Sequence, residues 1–227
     1  MFILKNNNDF FVIFKFSNTI VNKNDRYYGF LFCFDFFFSL FNIKKYFFCH
    51  RLDKEVSGII LIARNCCFLR KIKKIFFFKK FKKFYISFNF GISKTNFIIN
   101  NNILLSSLAK DNYKQSVSLF GKKSISNFFA IYRCFFFSIF IIFINTGKTH
   151  QIRIHSSIKG FPVIKDNLYC FCPFSSYIFL FLFNIELYFI KNLVYKIIKV
   201  FIPPYFLFFF FKKKSNYLFI FYNLKIS

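Results

Sequence analysis

Apolar residues in this chain occur in three arrangements: short unbroken runs, a lysine-interrupted stretch at helical spacing, and Phe-rich tracts without a period. The run from Asp9 to Val21 (DFFVIFKFSNTIV) suits a buried strand ending near Lys15, with a turn at Ser17-Asn18. Ile59 to Arg64 (IILIAR) is continuous and of strand length, which predicts an interior strand. From Asn65 to Lys83 lysines recur at three- and four-residue spacing among apolar residues, predicting a basic amphipathic helix. Phe84 to Gly91 alternates and ends in glycine, a strand and turn. Residues 92–123 are polar without a sustained period, so a surface excursion with a short hairpin and low order is expected. Ser126 to Arg133 and Ser138 to Asn145 predict two strands of a hairpin. If the strand geometry continues beyond Asn145, Gln151 and Arg153 project together, with Ile152 and Ile154 on the opposite face. The tracts at about 28–48 and 170–190 read as low-complexity insertions in one domain spanning 9–205, and 206–227 as a basic, Phe-rich tail. Pro203-Pro204 excludes a helix interior, and no internal repeat is present. No RNA-binding domain is expected ahead of Asp9.

Composition changes how much weight bulk hydrophobicity carries. The chain has 227 residues, 56% of them hydrophobic, with 46 Phe and with Lys outnumbering Arg 28 to 6. The residues in excess share AT-rich codons, so drift in base composition accounts for much of the apolar character. A membrane span needs about 20 predominantly apolar residues. The run 27–43 carries Asp35 in its middle and the run 177–185 stops at Glu186, so membrane insertion is not expected. The net charge of +26 favours a polyanionic partner through counterion release, nucleic acid first among them. The blander alternative is that drift converted surface positions to lysine without function. Of the lysine runs at 72–83 and 212–214, both are expected to be solvated, with the former the better candidate for an RNA-facing helix.

Seven cysteines, an odd number, and no signal-peptide pattern suggest free thiols in a reducing intracellular compartment, cytoplasm or organelle (mitochondrion or plastid). The N-terminus also lacks the Arg-rich amphipathic pattern of a transit peptide. Cys170-x-Cys172 has no second ligand pair at zinc spacing, and none of the three histidines is placed to complete one, so no metal site is expected.

Two segments depart from this background. His50 to Gly58 (HRLDKEVSG) gathers Asp53 and Glu55, two of only eight acids in the chain, beside Arg51 and His50. Asn145 to His155 (NTGKTHQIRIH) gathers glycine, hydroxyls, His, Gln and Arg. An arginine beside a carboxylate keeps it ionised and aims it through charge-assisted hydrogen bonds. Each residue alone has a structural explanation: Asp53 as a turn or cap, Tyr85 as core, Arg153 in an ion pair.

Together, in this order and spacing, they resemble a known family. HRLDKEVSG before an apolar strand, TGKTHQIRIH, and Gly160-Phe161-Pro162-Val163 leading to Asp166-Asn167-Leu168-Tyr169 are similar to the RluA-type pseudouridine synthase motifs HRLDxxTSG, TGRTHQIRVH and GxPxxGDxxY. KKFYISFNFG resembles the family's KxYxAxVxG segment, and GKKSISNFFAIYR resembles its GKxAxTxYxVL strand more loosely. The resemblance implies an α+β fold, a mixed, largely antiparallel β-sheet with flanking helices and a basic RNA-binding cleft. It implies an isomerase converting uridine to pseudouridine in structured RNA (rRNA or tRNA), acting on a flipped-out nucleotide without a cofactor, and expected as a monomer. It further implies Asp53 as the catalytic carboxylate, Arg153 as the arginine paired with it and Tyr85 as the tyrosine beside the target base. Arg51 matches the arginine that fills the vacated stack. His50, Lys148 and Gln151 join it as RNA or base-flipping residues, His50 and His150 also serving as framework hydrogen-bonders, while Glu55 reads as a bystander. The chain departs from the family pattern at Phe16, Val56, Lys148 and Lys165. The alternatives from other classes are a catalytically inactive RNA-binding relative and a Phe-rich membrane protein.

Overall fold

The strands join into a single sheet whose pairings are antiparallel except for one short parallel contact. A computed structural model describes residues 2–21, 36, 38, 39, 43, 45–105, 114–170, 178–191 and 194–201. Most of the expected insertion at 28–48, together with Cys172, Pro203-Pro204, the tail and its lysines, lies outside the described residues. In chain order the strands are β1 (Phe2–Asn6), β2 (Phe10–Lys15), β3 (Phe47–Phe48), β4 (Ser57–Ala63), β5 (Phe81–Phe90) and β6 (Phe97–Leu105). They continue with β7 (Gln115–Val117), β8 (Lys122–Arg133), β9 (Phe137–Ile144), β10 (Leu180–Lys191) and β11 (Val194–Phe201). The two longer described helices are α1 (Cys66–Phe77) and α2 (Gln151–Ile158). Across the sheet the order is β1-β2-β4-β10-β5-β9-β8-β6-β7, with β3 on β4 and β11 on β10. This is the expected α+β architecture.

The centre of the sheet is apolar on both faces. Every residue of β2 and β4 is buried, and α1 covers one side with Phe68, Ile72 and Ile75. Burying an aromatic or branched aliphatic side chain contributes about 1.5–3 kcal/mol, so this layer anchors the fold. Asn65 starts α1 by accepting a hydrogen bond from the Phe68 N–H at 2.8 Å. The helix ends at Phe77, short of the expected Lys83, because Lys79 takes a left-handed conformation (φ 54) and the chain re-enters the sheet at Phe81. Lys83, expected on a solvated run, therefore belongs to a strand and is buried.

The single parallel contact, Ser57 and Gly58 of β4 against Phe181 and Leu182 of β10, depends on a glycine. Gly58 has φ 139, and a Cβ there would lie 2.4 Å from the Leu182 carbonyl oxygen. Of the insertion expected at 170–190, residues 171–177 lie outside the described residues, while 180–191 form a central strand between β4 and β5. β1 was not anticipated, and the excursion at 92–123 contains the full strand β6, paired with β7 and β8. The hairpin β8-β9 lies where the pattern put it.

The largest departure is at Gln151 to Ile154, read in strand geometry and found within α2. Gln151 and Arg153 consequently point in different directions. Lys165, where the resemblance calls for glycine, holds a left-handed conformation (φ 67), which explains the family's preference there. Among the described residues no helix is long and apolar enough to cross a membrane.

Candidate active site

Asp53 stands on a loop between β3 and β4 that is fastened from below. Lys15, at the end of β2 and fully buried, donates to the carbonyls of Lys54 (2.9 Å) and Phe16 (3.0 Å), and Ser17 Oγ donates to the carbonyl of Glu55 (2.6 Å). Burial pulls the Lys15 ammonium down to about 7, partly opposed by the charges of Asp53 and Glu55. His50 Nε2 accepts the Leu61 N–H at 3.1 Å. Its pKa falls well below the ordinary value through burial and the nearby charge of Lys83, which keeps the ring neutral and fit for that role. Val56 N–H closes a turn on the Asp53 carbonyl at 3.1 Å. The Asp53 carboxylate is partly exposed, and His150 Nε2 lies 3.9 Å from it.

Tyr85 comes from the middle of β5, between Ile142 of β9 and Leu182 of β10. It shares a face with Lys83, two residues earlier. Burial, with the charge of Asp53 behind it, raises the Tyr85 hydroxyl far above its usual value, so it stays protonated. Lys83 is brought down to about 8 by burial, against the raising effect of Asp53.

Arg153 is held in a way the resemblance did not imply. Its Nε and Nη2 donate to the two carboxylate oxygens of Asp166 at 2.8 and 2.7 Å, and Nη1 donates to Glu55 at 3.3 Å. The guanidinium also lies over the Tyr169 ring, 5.4 Å from its centre. Burial opposes its charge, but the hydrogen bonds and charge of Asp166 outweigh this and hold its pKa above the ordinary value. The expected Arg153–Asp53 pairing is thus replaced by Arg153–Asp166 and Arg153–Glu55, and Asp53 acts on Arg153 through charge alone. The physical reason is reach: α2 turns Arg153 toward the buried loop carrying Asp166, whose Oδ1 also accepts from Leu168 and Tyr169 N–H. Glu55, expected as a bystander, is a partner of this group.

The N-terminus of α2 completes the wall. His150 adopts a left-handed conformation (φ 54), and its Nδ1 lies 2.9 Å from the Tyr169 hydroxyl. That hydroxyl accepts from Gln115 N–H at 2.8 Å, which directs its own proton to Nδ1 and assigns the His150 proton to Nε2, toward Asp53. Burial lowers the His150 pKa, so the ring is neutral at pH 7. Gln151, expected to meet RNA, has its side chain committed within the protein: it donates to Ile125 O and Ser126 Oγ and accepts from Thr146 Oγ1 and Lys148 N–H.

Asp53, Tyr85, Arg153, Arg51, Lys148 and Gln151 all line one cavity of about 60 Å³, together with Lys83 and His150. The expected His50 lies outside this cavity, in the wall of an adjoining aromatic and basic groove with Tyr46, Phe48 and Lys73. Arg51 borders both, exposed, with Nη2 on Thr149 Oγ1 at 2.8 Å. Exposed lysines of α1 extend the basic surface beyond the groove. Asp166 and Lys83 stand in the matched motifs without an assigned role, and the partnership of Glu55 was not expected. Asp166 carried a signal, being one of only eight acids and following Arg153 by 13 residues.

Around this basic cavity the sheet gathers an aspartate, a tyrosine and an arginine, the residue types that the sequence motifs implied. Comparison with known proteins agrees: the family described as RNA pseudouridylate synthase matches residues 16–157. The chain belongs to this family, as a member of its RluA type. A Helicobacter pylori protein, an uncharacterized RNA pseudouridine synthase, is 34% identical over 124 residues, 53% of this chain and 42% of that one. Ribosomal large subunit pseudouridine synthase D of Borreliella burgdorferi is 33% identical over 124 residues, covering 53% and 37%. Ribosomal large subunit pseudouridine synthase C of Rickettsia typhi is 33% identical over 166 residues, covering 66% and 51%. The chain therefore spans about half or less of the length of these relatives. Human RNA pseudouridylate synthase domain containing 1 has the same fold, with TM-score 0.70 at 20% identity over 88% of this chain and 82% of that one.

Proposed function

We propose that this protein isomerises uridine to pseudouridine in structured RNA, with Asp53 as the catalytic carboxylate. The observation that carries the reading is the convergence of Asp53, Tyr85 and Arg153, from three distant segments, on one cavity. The reaction breaks the N1–C1′ bond, rotates the uracil and forms C5–C1′; the C5 proton leaves and N1 gains one. Atoms and electrons balance without a redox partner. A carboxylate in this position acts as nucleophile or base toward the sugar or ring, and the geometry leaves the attacked atom open. Tyr85 offers a face for the base and a hydroxyl that remains protonated, suited to relaying the C5 proton.

The target nucleotide reaches such a cavity only by leaving its stack, which costs a few kcal/mol. Arg51, exposed at the mouth, is suited to occupy the vacancy. Arg153, bonded to Asp166 and Glu55, serves by fixing the floor and contributing positive charge near Asp53 rather than by gripping it. Lys148 and the lysines of α1 suit phosphate contacts, which position RNA without reading its sequence. Two relatives are named for the large ribosomal subunit, so ribosomal RNA is the proposed substrate in preference to tRNA. The test is incubation of the protein with large-subunit rRNA and with tRNA, followed by pseudouridine mapping. Site-specific pseudouridine in rRNA is expected; its absence from both RNAs would overturn the reading.

A further inference from the structure

Lys83 was expected on a solvated lysine run, yet it is buried in β5 with only 6% exposure. Its ammonium makes no hydrogen bond among the described residues. Its contacts are the faces of Phe76 and Phe81, 5.3 and 5.9 Å from the ring centres. Cation–π contact of this kind offsets only part of the desolvation of an ammonium. The strand neighbours directly opposite, Ile144 of β9 and Ile185 of β10, supply no charge, and Glu186 lies opposite Lys82 instead. The carboxylate whose charge reaches Lys83 is that of Asp53, on the same cavity wall. Of the other cations near Asp53, Arg153 is already bonded to Asp166 and Glu55, and Lys15 to the carbonyls of Lys54 and Phe16.

We propose that Lys83 is the positioning cation of Asp53: its ammonium, without a hydrogen bond among the described residues, shares the cavity with the carboxylate and aims it before RNA arrives. This deepens the reading of the site given above and rests on it for turnover. The carboxylate in return keeps a buried cation charged near neutral pH, so activity depends on the Lys83 proton. With the Lys83 ammonium drawn down to about 8, activity should fall as pH rises above that value. Of the other titratable and charged groups around the cavity only Lys15 can add an alkaline limb, a separate one near 7 that Lys83→Arg would leave in place. On the loop, His50 is lowered well below 6.5 and Arg51 is a permanent cation. At α2, His150 is lowered from 6.5 and Arg153 is raised. On β5 itself Tyr85 is raised far from neutrality, and below the loop Lys15 titrates at about 7.

Two measurements test this. In protein carrying 13C-labelled lysine, without RNA, the Lys83 Cε signal should titrate with a midpoint near 8, and Asp53→Asn should lower that midpoint, since it removes the charge that holds the proton. A midpoint unmoved by Asp53→Asn would overturn the proposal, whatever the protein does to RNA. In turnover, kcat/KM of the wild type should decline above pH 8; Lys83→Arg should remain active past that decline, and Lys83→Met should lose about a hundredfold at pH 7. An alkaline limb unchanged in Lys83→Arg, or near-normal activity of Lys83→Met, would overturn it equally. Wild-type protein that forms no pseudouridine would count against the proposed reaction while leaving the Lys83–Asp53 coupling to be decided by the titration.

Discussion

Replacing Asp166 with alanine isolates the strongest electrostatic contact in the site. Asp166 is fully buried, and its carboxylate accepts four hydrogen bonds: two from Arg153 and two from the Leu168 and Tyr169 backbone. Its loss leaves the Arg153 guanidinium, 2% exposed, with the 3.3 Å contact to Glu55, a side chain that is 39% exposed, as its remaining ion pair among the described residues. Removing one member of a buried ion pair typically costs about 3–5 kcal/mol, and the surviving Glu55 contact puts the expected loss near the lower end. For a domain with a total stability of about 5–15 kcal/mol, the variant should still fold but unfold much more readily. Urea denaturation followed by circular dichroism measures the loss as a drop in midpoint at unchanged slope. The double variant Arg153→Met/Asp166→Leu should recover a large part of it, because no charge is left unpaired. A loss under about 1 kcal/mol for Asp166→Ala, or a double variant as unstable as the sum of its singles, would refute the reasoning.

Two further outcomes follow from the same geometry. Lys15 and Lys83 have folded pKa values lowered from 10.5 to about 7 and about 8, so above those values the folded protein releases protons that the unfolded chain keeps until about 10.5. Stability should rise with pH between about 7 and 10, with a slope of at most about 1.4 kcal/mol per unit for each lysine, and Lys15→Met/Lys83→Met should flatten the rise in denaturation midpoints. Arg51→Ala should leave stability within about 0.5 kcal/mol, since the side chain is exposed, yet lower kcat/KM more on a structured RNA than on an unstructured oligonucleotide, which needs no help in unstacking.

Much of the site could be read from the chain because its pieces contrast with their surroundings. Asp53 falls in an acid-bearing loop before an apolar run, and β4 indeed follows it with all seven residues buried. Tyr85 was singled out by the likeness of KKFYISFNFG to a family segment, and the alternation there marked only the strand. The helix α2 was not, and the reason is physical: from Gln151 to Ser156 every residue is buried, so no polar face marks a helical period. The alternation of QIRIH imitates a strand, while its polar groups are satisfied by partners remote in sequence, Asp166 for Arg153 and Ser126 for His155. β10 was hidden differently. Its first half, LFLF, is buried between β4 and β5, and a continuous apolar run in a Phe-rich chain looks like bias. The alternating exposure of Asn184, Glu186 and Tyr188 against buried Ile185 and Leu187 is the strand signal that this background obscured. Lys83 could not be told from its solvated neighbours, since burial depends on where α1 stops.

The central claim is that Asp53 performs chemistry rather than holding a turn. Its carboxylate makes no hydrogen bond among the described residues, so Asp53→Asn removes only the charge felt by Lys15 and Lys83 and should remain folded. The decisive measurement is pseudouridine mapping on large-subunit rRNA treated with the wild type and with Asp53→Asn at matched concentration. The account predicts modification at a defined uridine by the wild type and none by the folded variant; pseudouridine formed by Asp53→Asn at the wild-type rate would contradict it.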